Sequence, residues 1–140
     1  MALSTEDVFA LQALVHRYAL AATDCDASAW AALFTENGVW ERRQAAAGTR
    51  YDQQVRIEGR DNLRAFAVQN LKPDAREAYV VTNCIVEGDR DTAHGRCTVI
   101  VYDLKQSPPA VFLVVDFIDE FVREANGWRI NYRGAALIGS

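Results

Sequence analysis

Three apolar, alternating stretches, at about residues 77–87, 92–104 and 110–123, follow one another with almost nothing between them. Gly88-Asp89-Arg90-Asp91 fills the first gap, and Ser107-Pro108-Pro109 breaks the chain at the second. Parallel neighbours need a crossover of a dozen residues or more, so connections this short admit only antiparallel pairing. Asn126-Gly127 is a further tight turn, after which Trp128 to Leu137 reads as a fourth strand. The C-terminal half is therefore expected to be an antiparallel meander. A sheet of this length must bury one face against another layer.

The N-terminal third supplies that layer. Ser4 is placed to cap a helix, with Glu6 and Asp7 in the first turn, where the helix dipole favours acidic groups. Val8, Leu11, Val15, Tyr18 and Ala22 then recur at helical spacing. Asp26 is expected to cap a second helix with Trp30, Leu33 and Phe34 on its apolar side, ended by Asn37-Gly38. Val39-Trp40-Glu41 begins a strand, residues 44–52 read as a loop, and Gln54 to Glu58 as a short strand. Asp61 is expected to cap a third helix, with Leu63, Phe66 and Ala67 inward and a stop near Pro73. The order predicts an α+β fold with a curved sheet and helices on one side, built as one domain over residues 1–140.

Composition excludes several functions. The net charge is −4 and no dense Lys/Arg cluster offsets it, which argues against a nucleic-acid partner. No apolar run approaches the roughly 20 residues that span a bilayer, so no membrane partner is expected. Met1 to Asp7 lacks the pattern of a signal peptide, and a cytoplasmic location is expected. Cys25, Cys84 and Cys97 lack metal-ligand spacing, and His16 and His94 are distant from each other, so no metal site is expected. GxGxxG, Walker and GxSxG elements are all missing, and any activity is expected to need no cofactor.

Candidate chemistry lies on the strands. Alternation puts Val111, Leu113, Val115, Phe117, Asp119 and Phe121 on one face, with a carboxylate between two phenylalanines. Burying an unpaired charge costs several kcal/mol, roughly, so Asp119 must be paired, neutralised or open to a cavity. The same logic aligns Tyr79, Val81, Asn83 and Ile85 on one strand and Cys97, Val99, Val101 and Asp103 on the next. If these faces line one concavity, it holds Tyr79, Asn83, Asp103 and Asp119, an apolar cleft with a few convergent polar groups. Each has a plainer alternative. Asp103 near a strand end is compatible with solvation, Asn83 with satisfying backbone groups, and Tyr79 with a core position. Asp119 is compatible with a structural bridge to Arg133 or Arg129.

Several segments resemble SnoaL-like proteins of the nuclear-transport-factor-2-like superfamily, near the scytalone dehydratase branch. They are Arg17-Tyr18-Ala19-Leu20-Ala21, the run from Asp26 through Trp30, Leu33-Phe34 and Asn37-Gly38 to Trp40, and Gly59-Arg60-Asp61 through Phe66. Thr82-Asn83, Phe117-Ile118-Asp119-Glu120-Phe121, Gly127-Trp128-Arg129-Ile130 and Arg133 fit as well. The resemblance implies a cone-shaped sheet wrapped around a long first helix, an apolar pocket at the open end, and a homodimer, or a higher oligomer, joined through the sheet. It implies reactions such as dehydration, isomerisation, aldol-type cyclisation or epoxide opening on small cyclic molecules. Against the dehydratase pattern, the Asp after the first helix falls on Thr23, with Asp24 one residue away. The His of the first long strand falls on Tyr79, the second sheet His close to Asp103, and the pocket Asn on Asp119.

The sequence-based expectation is thus a cofactor-independent lyase or isomerase acting on a small apolar, cyclic molecule. Asp119 is expected as general acid or base, Tyr79 as a polarising group and Asp24 as a second carboxylate. Tyr18, Trp40, Asn83, Asp103, Phe117 and Phe121 are expected to bind substrate. The rival expectation is a non-catalytic binding or dimerisation domain in which Asp119 is locked to an arginine.

Overall fold

The computed structural model describes residues 2–139. Helix α1 (Thr5–Thr23) starts where the Ser4 hydroxyl accepts from the Asp7 amide at 3.1 Å. Its inward stripe is Leu11, Leu14, Val15, Tyr18, Ala21 and Ala22, and it stops at Asp24, followed by Cys25 in the left-handed region at φ 54°. Helix α2 (Ala27–Ala32) is capped by Asp26, whose carboxylate accepts from the Ala29 amide at 3.0 Å. It is shorter than expected. Leu33 closes it, and Phe34 already belongs to strand β1 (Phe34–Gln44), so Asn37-Gly38 lies inside a strand rather than after a helix.

Strand β2 (Val55–Glu58) leads to helix α3 (Arg60–Asn70), whose cap is Gly59 rather than Asp61. Arg60 anchors α3 to the start of β1, donating from Nη2 to the Phe34 carbonyl at 2.6 Å. Leu63 and Ala67 are its buried positions, with Phe66 half-buried against the core. A short turn of 3₁₀ helix at Pro73–Ala75 precedes the meander of β3 (Glu77–Gly88), β4 (Thr92–Asp103), β5 (Ala110–Glu124) and β6 (Gly127–Gly139).

All six strands form one sheet in the order β2-β1-β6-β5-β4-β3. The meander is antiparallel as expected, but β1 joins β6 in parallel, which the helical crossover between them permits. The inner face packs on the helices. Bulges adjust which residues reach it. Between Thr82 and Ile85 two residues, Asn83 and Cys84, oppose Cys97, so Tyr79 and Val81 face inward before the bulge and Cys84 and Val86 after it. A second irregularity, between Val101 and Tyr102, leaves Leu113 inward and Val111 on the exposed side, against the simple alternation. A third, at Asn131, lets Ile130 and Arg133 both point into the core and sets Arg133 directly opposite Asp119.

Helix α1 is tied to the edge strand β3 by Thr23. Its hydroxyl donates to the Ala19 carbonyl at 2.9 Å and accepts from the Tyr79 amide at 2.9 Å. At the other end of α1, Asp7 accepts from the Trp128 indole at 3.1 Å and pairs with Arg123 at 2.9 Å.

Candidate functional site

The concave side of the sheet, α1, α2, α3 and the β1–β2 loop enclose a cavity with about 70 Å³ of space open to the centre of a water molecule. Its wall is mostly aromatic and aliphatic, with Tyr18, Trp30, Trp40, Phe66, Tyr79 and Phe117 as the large rings. These rings brace one another: Trp30 lies 5.1 Å from Phe34 between centroids, Trp40 5.1 Å from Phe66, and Tyr18 5.6 Å from Phe117. Such a wall fixes its own shape before any ligand arrives.

The polar groups are few and specific. The Trp40 indole donates to the Tyr18 hydroxyl at 2.8 Å, deep in the core. That bond occupies a lone pair of Tyr18 and leaves its own O–H with no acceptor among the described residues. Burial raises the Tyr18 phenol above its ordinary pKa, although Arg133 and the Trp40 bond oppose this, so the hydroxyl stays protonated. Burial pushes Tyr79 well above the ordinary phenol range, reinforced by the neighbouring Tyr51. Tyr51 comes from the β1–β2 loop, where its amide donates to the Thr49 hydroxyl at 3.0 Å. Burial also raises the Tyr51 phenol. All three tyrosines are therefore donors, not bases, near neutrality.

Four of the expected site residues line this cavity: Tyr18, Trp40, Tyr79 and Phe117. Five do not. Asp24 is an exposed residue at the end of α1, because the helix terminates there and turns away. Thr23, at the position the dehydratase pattern gives to an Asp, is spent on pinning β3. Asn83 sits in the left-handed region at φ 52°, where an Asn is tolerated better than most residues, and lies on the outer face of the sheet beside Ile85, His94 and Ile118. Asp103 caps the β4–β5 turn, accepting from the Lys105 amide at 2.9 Å and from Gln106 at 3.2 Å, and these bonds hold its carboxyl below the usual range. Phe121 is core, 1% exposed, and does not reach the cavity.

Asp119 is buried between the phenylalanines as alternation demands, but it does not line the cavity. Of the two candidate partners it takes Arg133, whose Nε lies 3.2 Å from Oδ1. Arg133 is 0% exposed; its guanidinium carbon lies 4.0 Å from the Tyr18 ring centroid and 3.8 Å from that of Phe117. Its Nη2 reaches the Cys97 sulfur at 3.2 Å. The two rings that face the cavity thus cover the arginine, and the arginine holds the carboxylate. The pair is close but misaligned, since Asp119 Oδ1 and Arg133 Nε and Nη1 lack a hydrogen-bond partner among the described residues. Burial drives the Asp119 carboxyl up to about 6, with the Arg133 charge only partly opposing it.

Three polar wall residues, Arg42, Tyr51 and Asn70, escape the sequence reading. Arg42 sits two residues after Trp40 on β1, so strand alternation places it on the same face, a signal that was present. Tyr51 lies in the loop, where no periodicity exists to place it. Among the described residues, no three His, Cys, Asp or Glu side chains gather as a metal site, and no helix is long and apolar enough to cross a membrane.

The sequence matches the pattern of the SnoaL-like domain over residues 4–134. No curated protein matches it. Among solved structures, a protein of unknown function from Mycobacterium tuberculosis is similar at 27% identity and TM-score 0.78, covering 93% of this chain and 70% of that one. A nuclear-transport-factor-2-like protein with a cystatin-like fold from Novosphingobium aromaticivorans is similar at 25% identity and TM-score 0.79, covering 95% and 82%. A ketosteroid isomerase-like protein from Erwinia carotovora shares the fold at 16% identity and TM-score 0.68, covering 98% and 100%.

Proposed function

The chain belongs to the SnoaL-like domain family, and we propose that it holds a small, apolar, ring-containing molecule inside its cone, gripping an oxygen of that molecule with tyrosine hydroxyls. The observation that carries this reading is the Tyr18 hydroxyl: it is fixed by Trp40, its own proton is uncommitted, and an otherwise aromatic cavity surrounds it. A ring stacks against Trp30, Trp40, Phe66 and Phe117, and its carbonyl or hydroxyl oxygen accepts from Tyr18 or Tyr79. Neither a carboxylate nor a histidine stands on the wall, so binding and polarisation are better supported than proton abstraction. Trp30 and Trp40 provide the readout. Titration with 1-indanone, a neutral cyclic ketone, is expected to quench tryptophan emission saturably, and Tyr18→Phe to weaken that binding about tenfold. Absence of saturable binding by neutral cyclic ketones, phenols and alcohols alike would sink the reading.

A second reading, a cofactor-independent lyase or isomerase, has one observation in its favour. The Asp119 carboxyl, raised to about 6, lies in the range of a working acid or base and sits behind the Tyr18 ring through Arg133. A neighbour named ketosteroid isomerase-like shares the fold. This reading requires the Tyr18–Phe117 layer to part so that a substrate reaches Asp119. Asp119→Asn is then expected to lower turnover of a true substrate by about 10²-fold or more, and an unchanged rate would remove Asp119 from the chemistry.

We also propose that copies pair through the outer face of the sheet. Val80, Ile85, Val111 and Ile118 are exposed there, the second of them to 63%. Apolar side chains exposed on one open sheet face suit association with a second copy.

A further inference from the structure

The cavity wall carries a cation that no carboxylate pairs among the described residues. Arg42 is only 6% exposed, and its side chain turns inward from β1 beside Trp40. One donor is used: Nη1 bonds the Gln53 carbonyl at 3.1 Å. The guanidinium carbon lies 5.3 Å from the Trp40 ring centroid and 5.0 Å from that of Tyr51, so two aromatic faces hold the group in place. Nε and Nη2 have no hydrogen-bond partner among the described residues, and no carboxylate there lies within salt-bridge distance.

Two other arginines near the aromatic wall are paired. Arg133, more deeply buried than Arg42, has Asp119 at 3.2 Å, and Arg50, over the Tyr51 ring, has Glu77 at 2.7 Å. Burial lowers the Arg42 pKa, opposed in part by three tyrosines and by Asp52, which stands beyond salt-bridge distance. Neutral tyrosines offer donors and ring faces but no opposing charge. A guanidinium does not escape burial by losing its proton, because its pKa lies far above neutrality. A buried cation of this kind is costly unless an anion meets it. What the chain leaves unfilled, a ligand can fill.

We infer that Arg42 is the anion-binding residue of the cavity, and that the natural occupant is a ring-bearing carboxylate whose anionic group docks on Nε and Nη2 while its ring lies among Trp30, Trp40 and Phe66. The inference rests on the reading that the cavity holds a small ring compound, and adds the charge of that compound. Tyr51 and Tyr79, both protonated donors, flank the same end of the pocket and complete a cluster suited to carboxylate oxygens.

The test compares trans-cinnamate with its neutral counterpart cinnamamide, by tryptophan quenching and by calorimetry at pH 7. Wild-type protein is expected to bind cinnamate about tenfold or more tightly than cinnamamide. Arg42→Met is expected to erase that preference while holding cinnamamide within about threefold of wild type, which also shows that the variant is folded. Arg42→Lys is expected to keep part of the preference, since the charge survives but the planar fork does not. Equal binding of both probes by wild type overturns the inference and leaves the pocket reading intact. A cinnamate preference that survives in Arg42→Met also overturns it, because another residue then binds the anion. Binding of neither probe overturns both. If Arg42→Met fails to fold, wild type and Arg42→Lys still decide: a tenfold preference in wild type that shrinks in Arg42→Lys supports the inference, while no preference in wild type, or an undiminished one in Arg42→Lys, overturns it.

Discussion

Tyr18 and Asp119 have opposite relations to the cavity, and single substitutions separate them. Tyr18→Phe leaves the Trp40 indole N–H buried without its acceptor, so a loss of about 1–3 kcal/mol is expected in chemical denaturation besides the loss of ligand. Asp119→Asn acts through pH. The folded carboxyl titrates near 6 and its ordinary value is 3.8, so between those values the native state holds a proton that the unfolded chain has released. The contribution of this group is present in full below the unfolded value and declines as pH rises through the folded one. The Tm of Asp119→Asn minus that of wild type is therefore expected to grow by several degrees from pH 4 to pH 7, and a flat difference would show that the carboxyl does not titrate there. The inward place of Asp119 was legible from alternation alone, whereas its shielding by Tyr18 and Phe117 depends on contacts between distant elements. Asp103 and Asn83 misled because a period of two cannot register a turn cap or a bulge. Arg42 was legible by the same alternation that found Trp40.

The elements were mostly readable because their caps and turns are local chemistry. Ser4 and Asp26 cap the helices they were expected to cap. The four meander strands fall within two residues of expectation at each end, because Gly127 and the other turn residues fix the ends. The misread junction is α2 to β1: Leu33 and Phe34 continue an apolar helical pattern, yet Phe34 is drawn into the sheet beside Ile130. Two predictions belong to this level. Asp26→Ala removes the α2 cap and is expected to cost about 1 kcal/mol in denaturant unfolding. Thr23→Val removes the bond that holds the outward amide of the edge strand. A loss of about 1–2 kcal/mol is expected, together with faster hydrogen exchange at Tyr79 and slower or no change at β5. Equal exchange at Tyr79 in both proteins would show that the strand does not rely on Thr23.

For the whole molecule, the proposed pairing through the sheet predicts a species of twice the chain mass in sedimentation. Combining Ile85→Glu with Ile118→Glu is expected to leave a folded monomer, and a wild-type monomer at micromolar concentration would end the proposal. The sheet order carries a separate consequence. Strand β1 is made early, yet its long neighbour is β6, the last to be synthesised, and the two register from Phe34–Ile130 to Gln44–Ala136. A growing chain therefore carries Phe34 and Trp40 before their β6 neighbours exist, with only contacts such as Trp30–Phe34 and Trp40–Phe66 open to them. Pairing of β1 with β6 waits for the last of the six strands, so closure of the sheet is a late event in chain synthesis.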